Sequence, residues 1–260
     1  MNANATVEKI YILDGGLARV EDGSIYSPGV NIGVPLTLSC NAYLIRHHGK
    51  WLMWDTGTPD HINAEPGGKI IAHGIRGIIV RPLSTQLKSI GVKPDDVSTI
   101  VFSHAHYDHV GNSGLFRNAR WVVQRAEYEA MFGSHPEKYG YLPELYATMK
   151  DNDVEIVEGD HDLFGDGAVR LIFTPGHTLG HCSLFVRLPD TGPILLSGDV
   201  AHNLSNLSHL RIPSFNADKN ATVASMEKVQ RLLQIESAKI WLNHDTEQSA
   251  TLPHAPAWIT

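Results

Sequence analysis

The chain has 260 residues, with 21 Lys and Arg against 28 Asp and Glu for a net charge of −7, and 42% of it is hydrophobic. That apolar fraction, with only 19% charged residues, excludes an intrinsically disordered chain, and an acidic balance without a cationic cluster argues against a nucleic-acid partner, which needs Lys and Arg to displace phosphate counterions. Two cysteines, Cys40 and Cys182, are too few for a disulfide framework and form no C-x-x-C pair, so a metal site here must draw on the 15 histidines and on carboxylates.

In chain order, Val7–Leu13, Leu36–Arg46 and Lys50–Trp54 read as strands, with a turn at His48–Gly49, so the chain opens as an antiparallel sheet. A long Gly-rich apolar loop, Ala64–Pro82, leads to a helix over Leu83–Ile90 that Gly91 closes. A strand follows at Ser98–Phe102, and a helix begins near Asp108 and carries Val110 to Phe116. Next come a strand at Ala119–Gln124, a helix from Ala126, a polar stretch over Glu137–Asp153, and strands at Glu155–Val157, Val169–Thr174, His181–Arg187 and Ile194–Ser197. Ala221–Ile235 has the amphipathic spacing of a helix (Val223, Met226, Val229, Leu232, Leu233), and Lys239–Leu242 is a last short strand. Two halves of mixed strands and helices suggest two packed sheets with helices outside. No window approaches eighteen apolar residues and 1–14 lacks the features of a secretory leader, so a soluble, cytoplasmic protein with no membrane partner is expected, and 1–260 reads as one domain.

The strongest chemical signal is Ser103-His104-Ala105-His106-Tyr107-Asp108-His109, directly after a buried strand. His104 and His106, two apart on extended chain, point to the same side and can share an ion. Asp108 and His109 fall where the chain turns into a helix, so they can diverge toward a second ion. Later strands end on His177 (in Thr174–His181), on Asp199 (in Leu195–Asp199) and on His244 (in Leu242–Asp245). Each is weak alone, a His or Asp at a strand end being more often a hydrogen-bonded surface group or a cap, but together with 104–109 they read as one dinuclear site.

On these residues the chain resembles the metallo-β-lactamase-fold hydrolases over nearly its full length, through the H-x-H-x-D-H signature and the strand end Trp54-Asp55-Thr56-Gly57. The resemblance implies an αββα sandwich with the site at the edge between two sheets. It places His104, His106 and His177 on a first metal, Asp108, His109 and His244 on a second, and Asp199 between them. It has Asp55 orienting a ligand histidine by accepting its other N–H. His181 reads as a supporting or core histidine. A bridging Asp199 is unlike the true β-lactamases. The ending Asn243-His244-Asp245, the 22-residue step from His177 to Asp199 and the segment Asp218–Val229 are similar to the N-acyl-homoserine lactonases.

Many of those lactonases carry, three residues after the bridging Asp, a Tyr whose phenol bonds the substrate carbonyl; here His202 stands there, and an imidazole N–H can donate the same bond. The implied chemistry is attack on a lactone carbonyl by hydroxide from a water between two divalent ions, with His202 helping to polarise the carbonyl and Asp108 carrying a proton to the departing ring oxygen. An all-His/Asp donor set suits zinc first and also manganese, cobalt or iron.

A thioesterase of the glyoxalase II kind is the rival within the class. It adds C-terminal helices with basic residues, whereas the sequence given runs 16 residues beyond His244. A mononuclear iron dioxygenase acting on persulfides is the rival from another class, and needs only the first metal set. The apolar stretch 70–79 could line an acyl-chain pocket, form a homodimer contact or pack as core. His47 and His48 read as solvated turn residues, His209 as loop packing, and His61, His73, His135, His161 and His254 as histidines without a partner at recognisable spacing.

Overall fold

A computed structural model of the chain describes residues 5–72 and 74–260, so His73 lies outside the described residues. The strands β1 (Lys9–Val20), β2 (Leu36–His47), β3 (Lys50–Trp54), β4 (Lys69–Ala72), β5 (Ile75–Ile78), β6 (Val97–Val101), β7 (Arg120–Gln124) and β8 (Val154–Val157) form one sheet in the order β4-β5-β1-β2-β3-β6-β7-β8. A second sheet of β9 (His161–Asp162), β10 (Val169–Phe173), β11 (Cys182–Leu188), β12 (Gly192–Leu196) and β13 (Lys239–Trp241) runs β13-β12-β11-β10-β9.

Alternation along the strands builds the layers. In β1, Ile10 and Ile12 face the second sheet while Tyr11 and Leu13 face the outer helices, and in β2 Tyr43 and Ile45 face inward while Leu44 faces outward. Val169, Leu171, Leu184, Val186 and Leu196 answer from the second sheet. The far face of that sheet, with Ile172, Phe185 and Leu195, packs on Met226 and Val229 of the helix Lys219–Glu236. Outside the first sheet, Leu83, Leu87, Met131 and Tyr146 come from the outer helices. The result is the expected αββα sandwich. The long helix starts where the Asp218 side chain accepts the Ala221 N–H, and ends at Ser237 in the left-handed region.

Three expectations change. The first strand runs to Val20 past an irregularity between Asp14 and Leu17, where a Cβ on Gly15 would lie 2.2 Å from the Cys40 carbonyl oxygen. The presumed loop 64–82 contains the β4–β5 hairpin, paired to β1 through Leu17–Arg19; its glycines hid the alternation. The expected helix after Asp108 is a single turn, Tyr107–Val110, followed by a 3-10 turn at Ser113–Leu115. No helix among the described residues is long and apolar enough to cross a membrane.

Leu184, fully buried between the sheets, tests this layering. Leu184→Ala should lower stability by about 2–5 kcal/mol, read as a lower urea midpoint with an unchanged slope. A loss below 0.5 kcal/mol, the range of surface substitutions, would show that the two sheets do not form one core there.

Candidate metal centre

The site forms where the ends of β3 and β6 meet the ends of β10, β12 and β13. β6 runs out at Val101, and Ser103 and His104 follow as extended chain. Asp55, just past β3 and itself at φ 56°, accepts the Ser103 N–H (2.7 Å) and hydroxyl (2.9 Å). The next residues complete the clamp: Thr56 N–H and hydroxyl both donate to the His109 carbonyl (2.6 and 2.9 Å), and Gly111 N–H donates to the Gly57 carbonyl (3.0 Å). The Asp-Thr-Gly strand end thus holds the one-turn helix that carries Asp108 and His109.

The structure brings all seven residues named for the two metals together. His104 Nε2 lies 2.9 Å from His106 Nδ1, and His177 Nε2 lies 3.0 Å from the same atom. His109 Nε2 and His244 Nε2 approach Asp199 Oδ1 at 3.2 and 3.0 Å, while His177 Nε2 lies 3.3 Å from Asp199 Oδ2, so this carboxylate stands between the two groups. Asp108 completes the second group, 3.7 Å from His244 Nε2 and 3.9 Å from His109 Nε2.

The far nitrogens of these imidazoles are all engaged outward. His106 Nε2 donates to the Tyr139 carbonyl (2.8 Å), His244 Nδ1 to the Ser39 carbonyl (2.6 Å), and His177 Nδ1 to Asn216 Oδ1 (2.9 Å). His109 Nδ1 meets Asp55 Oδ2 at 2.9 Å, and His104 Nδ1 meets the Ser103 hydroxyl at 3.0 Å. A carbonyl can only accept, so His106 and His244 carry their proton on the outward nitrogen when neutral, which turns a lone pair inward. Burial pushes His106 down to about 4 and holds His104 and His177 well below the ordinary histidine value, the neutral state that a metal ligand needs. Burial also disfavours charge on His109, but the Asp199, Asp55 and Asp108 carboxylates outweigh it and raise this residue to about 10.

Two inward atoms, His109 Nε2 and Asp199 Oδ1, are buried without a hydrogen-bond partner. Converging lone pairs around a carboxylate repel unless a cation lies among them, and N/O donors fit a divalent transition metal. The residues therefore fit metal ions.

His181 and Asp55 act on the donors from behind. His181 Nδ1 donates to the Thr174 carbonyl and its Nε2 accepts the Asp199 N–H (2.7 Å), so both ring nitrogens are occupied. Gly198, at φ 53°, permits this: a Cβ there would lie 2.6 Å from His181 Nε2. His202 has its Nε2 3.3 Å from Asp199 Oδ2, stacks on the His244 ring at 15°, and leaves its Nδ1 buried without a partner. Beside it lies a small cleft lined by Tyr26, Ala72, Ile75, Asp108, His202 and Phe215. Part of the 70–79 stretch is thus a cleft wall.

Two residues beside the site, Glu127 and Cys40, escaped the sequence reading. Glu127 is fully buried, and each of its oxygens takes two bonds: Oε1 from Ala105 N–H (2.9 Å) and Tyr141 OH (2.6 Å), Oε2 from Thr178 OH (2.8 Å) and Gly180 N–H (2.9 Å). It ties the His104–His106 segment to the His177 turn. Only its place on the buried face of a short helix could have signalled this, and seven residues show too little periodicity. Cys40 was also unforeseen; its Sγ lies 3.5 Å from Asp108 Oδ2, and burial pushes its thiol up to about 12, protonated.

A buried His/Asp metal centre at the edge between two sheets of an αββα sandwich defines a class of metal-dependent hydrolase. Residues 36–234 match the model of the metallo-beta-lactamase superfamily, to which the chain belongs. Among its curated relatives it is 31% identical to an N-acyl homoserine lactonase of Bacillus thuringiensis, across 98% of this chain and 100% of that protein. It is 32% identical to the N-acyl homoserine lactonase AttM of Rhizobium radiobacter, across 95% of this chain and 97% of that one. A solved N-acyl homoserine lactone hydrolase with the product N-hexanoyl-L-homoserine at its catalytic metal center superposes with a TM-score of 0.86 at 28% identity, covering 98% of this chain and 100% of the other.

Glu127→Ala would leave two backbone N–H groups and two hydroxyls without their acceptor, at about 1–3 kcal/mol each. It should lower the melting temperature and reduce the metal retained after dialysis, measured together by calorimetry and elemental analysis. Wild-type values for both would separate Glu127 from the centre.

Proposed function

We propose that this protein, as a single domain, opens the lactone ring of N-acyl homoserine lactones at a dinuclear centre. Zinc is the first choice of metal. One ion would be held by His104, His106 and His177, the other by Asp108, His109 and His244, with Asp199 shared. The observation that carries the reading is the convergence of these seven donors, beside a cleft, in a chain that aligns end to end with lactonases. Bound there, two divalent ions would supply Lewis acidity, lowering the pKa of a water and drawing electrons from the carbonyl.

The chain's own residues do the rest. Asp108 faces the cleft from the second group, placed to pass the proton of the attacking water to the ring oxygen as the ring C–O bond breaks and the new C–O bond forms. His202 lines the same cleft, where an N–H donated to the carbonyl strengthens as that oxygen gains charge. Tyr26, Ile75 and Phe215 offer apolar surface for an acyl chain. His244 Nε2 lies 3.7 Å from Asp108 and 3.0 Å from Asp199, so a second donor group is complete beside the shared carboxylate, which favours a two-metal hydrolase over a mononuclear oxygenase.

Incubated with an N-acyl homoserine lactone, the enzyme should yield one product heavier by a single water, with no free homoserine lactone, by mass spectrometry. Turnover confined to glutathione thioesters would overturn the reading. Asp199→Ala should lose both ions together by elemental analysis, because each group shares that carboxylate; retention of one ion would contradict the sharing. His202→Ala should keep its metal and lose on the order of ten- to a thousandfold in kcat, the cost of one oxyanion donor. Full activity would leave the side chain a packing role.

A further inference from the structure

A second cluster of metal-ligand side chains lies at the other end of β2 from the catalytic centre. Cys40 of that strand touches Asp108, and His47 follows seven residues later, roughly 23 Å along extended chain. His47 and His48 enter the turn to β3, with His48 at φ 48° and Gly49 at φ 71°. Successive side chains of a regular strand point to opposite faces. Here the left-handed turn swings the second ring beside the first, and their centroids are 3.9 Å apart.

Both rings aim at one atom. His47 Nε2 lies 2.8 Å, and His48 Nε2 2.9 Å, from Oδ2 of Asp166, which belongs to the β9–β10 connection of the second sheet. That connection is built to hold its carboxylate: Asp162 accepts the N–H groups of Phe164, Gly165 and Gly167, and Asp166 Oδ1 accepts Ala168 N–H. Phe164 packs edge-on against both rings, with centroids at 4.7 and 6.1 Å. The His47 side chain is 4% exposed, Asp166 19% and His48 62%, so the cluster is walled on one side and open to water on the other. No Lys or Arg is paired with Asp166 among the described residues.

We infer that His47, His48 and Asp166 form a further divalent metal site that clips the two sheets together at the rim remote from catalysis. Two imidazole nitrogens and one carboxylate oxygen within 4.8 Å of one another are donors that zinc, cobalt or nickel accept, with solvent filling the remaining position. Calcium and magnesium, which take mostly oxygen ligands, do not suit the set. Its occupant stabilises the folded chain because only the fold joins the β2–β3 turn to the β9–β10 loop. The site is independent of the catalytic reading, which uses none of these residues.

The test is equilibrium dialysis of the holoenzyme against Zn²⁺ with elemental analysis, compared with His48→Ala and Asp166→Asn. His48 is exposed, so its replacement should not disturb folding. The wild type should bind one Zn²⁺ more than either variant. Zn²⁺ at about a hundred times that site's Kd should raise the wild-type melting temperature by roughly 5–10 °C over the holoenzyme with this site empty, and leave both variants unmoved. Hydrolytic activity should be equal in all three. Equal Zn²⁺ stoichiometry in wild type and variants, or a wild-type site weaker than about 1 mM, would overturn the proposal.

Discussion

The Asp199 carboxylate is buried among the inward nitrogens of His109, His177, His202 and His244, and the rest of the molecule is arranged so that this can be so. Taking a carboxylate out of water costs several kcal/mol unless opposite charge and donors replace its hydration. Here burial raises the group, and the histidines more than offset it, holding it well below the usual carboxylate range. Apart from His202, the imidazoles of the cluster have partners for their outer nitrogens, which backbone carbonyls of β2 and the Tyr139 turn, Asn216, Asp55 and Ser103 supply. The metal centre thus follows from a satisfied outer layer and a deliberately unsatisfied inner one.

That outer layer comes from both sheets, so neither half could assemble the site alone. β3 and β6 supply the Asp55 clamp and the 104–109 segment, and the ends of β10, β12 and β13 supply His177, Asp199 and His244. Ser39 of β2 donates to the Asn243 carbonyl, and Asn41 N–H donates to the Asn243 side chain, which fixes the loop before His244 against the first sheet. Glu127 makes the corresponding tie on the other side. The inter-sheet core, from Ile10 to Trp241, therefore sets the metal geometry as well as the stability.

The converging His and Asp donors and the cleft walls have different origins in the fold. The donors sit at strand ends braced by short hydrogen bonds. The walls come from the β4–β5 edge hairpin, from the turn that ends in Tyr26 and from the segment after Asp199, whose Asn206 donates to the Tyr26 carbonyl at 3.0 Å. The donors are held by strand ends, while the walls lie on parts of the chain that can vary without disturbing those donors.

Much of the centre was legible in the sequence, because metal chemistry restricts residue type and local backbone restricts direction. His104 and His106 two apart on extended chain, and His177, Asp199 and His244 at strand ends, declare their partners by type and position. The layered fold was legible where alternation was clean, as in β1 and β2. It was hidden in 64–82, where glycines interrupt the pattern, and in the single-turn helix after Asp108, which is too short to show a period. Glu127 could not be found, since its four partners lie on three separate loops that meet only in space. His47 and His48 read as solvated because turn residues usually are, yet a left-handed turn and a carboxylate 118 residues away gave them a shared partner. The sequence by itself determined which atoms could bind metal, through side-chain chemistry and the local period of the chain. Tertiary structure alone decided which buried groups brace them, because hydrogen bonds between distant segments leave no period to read.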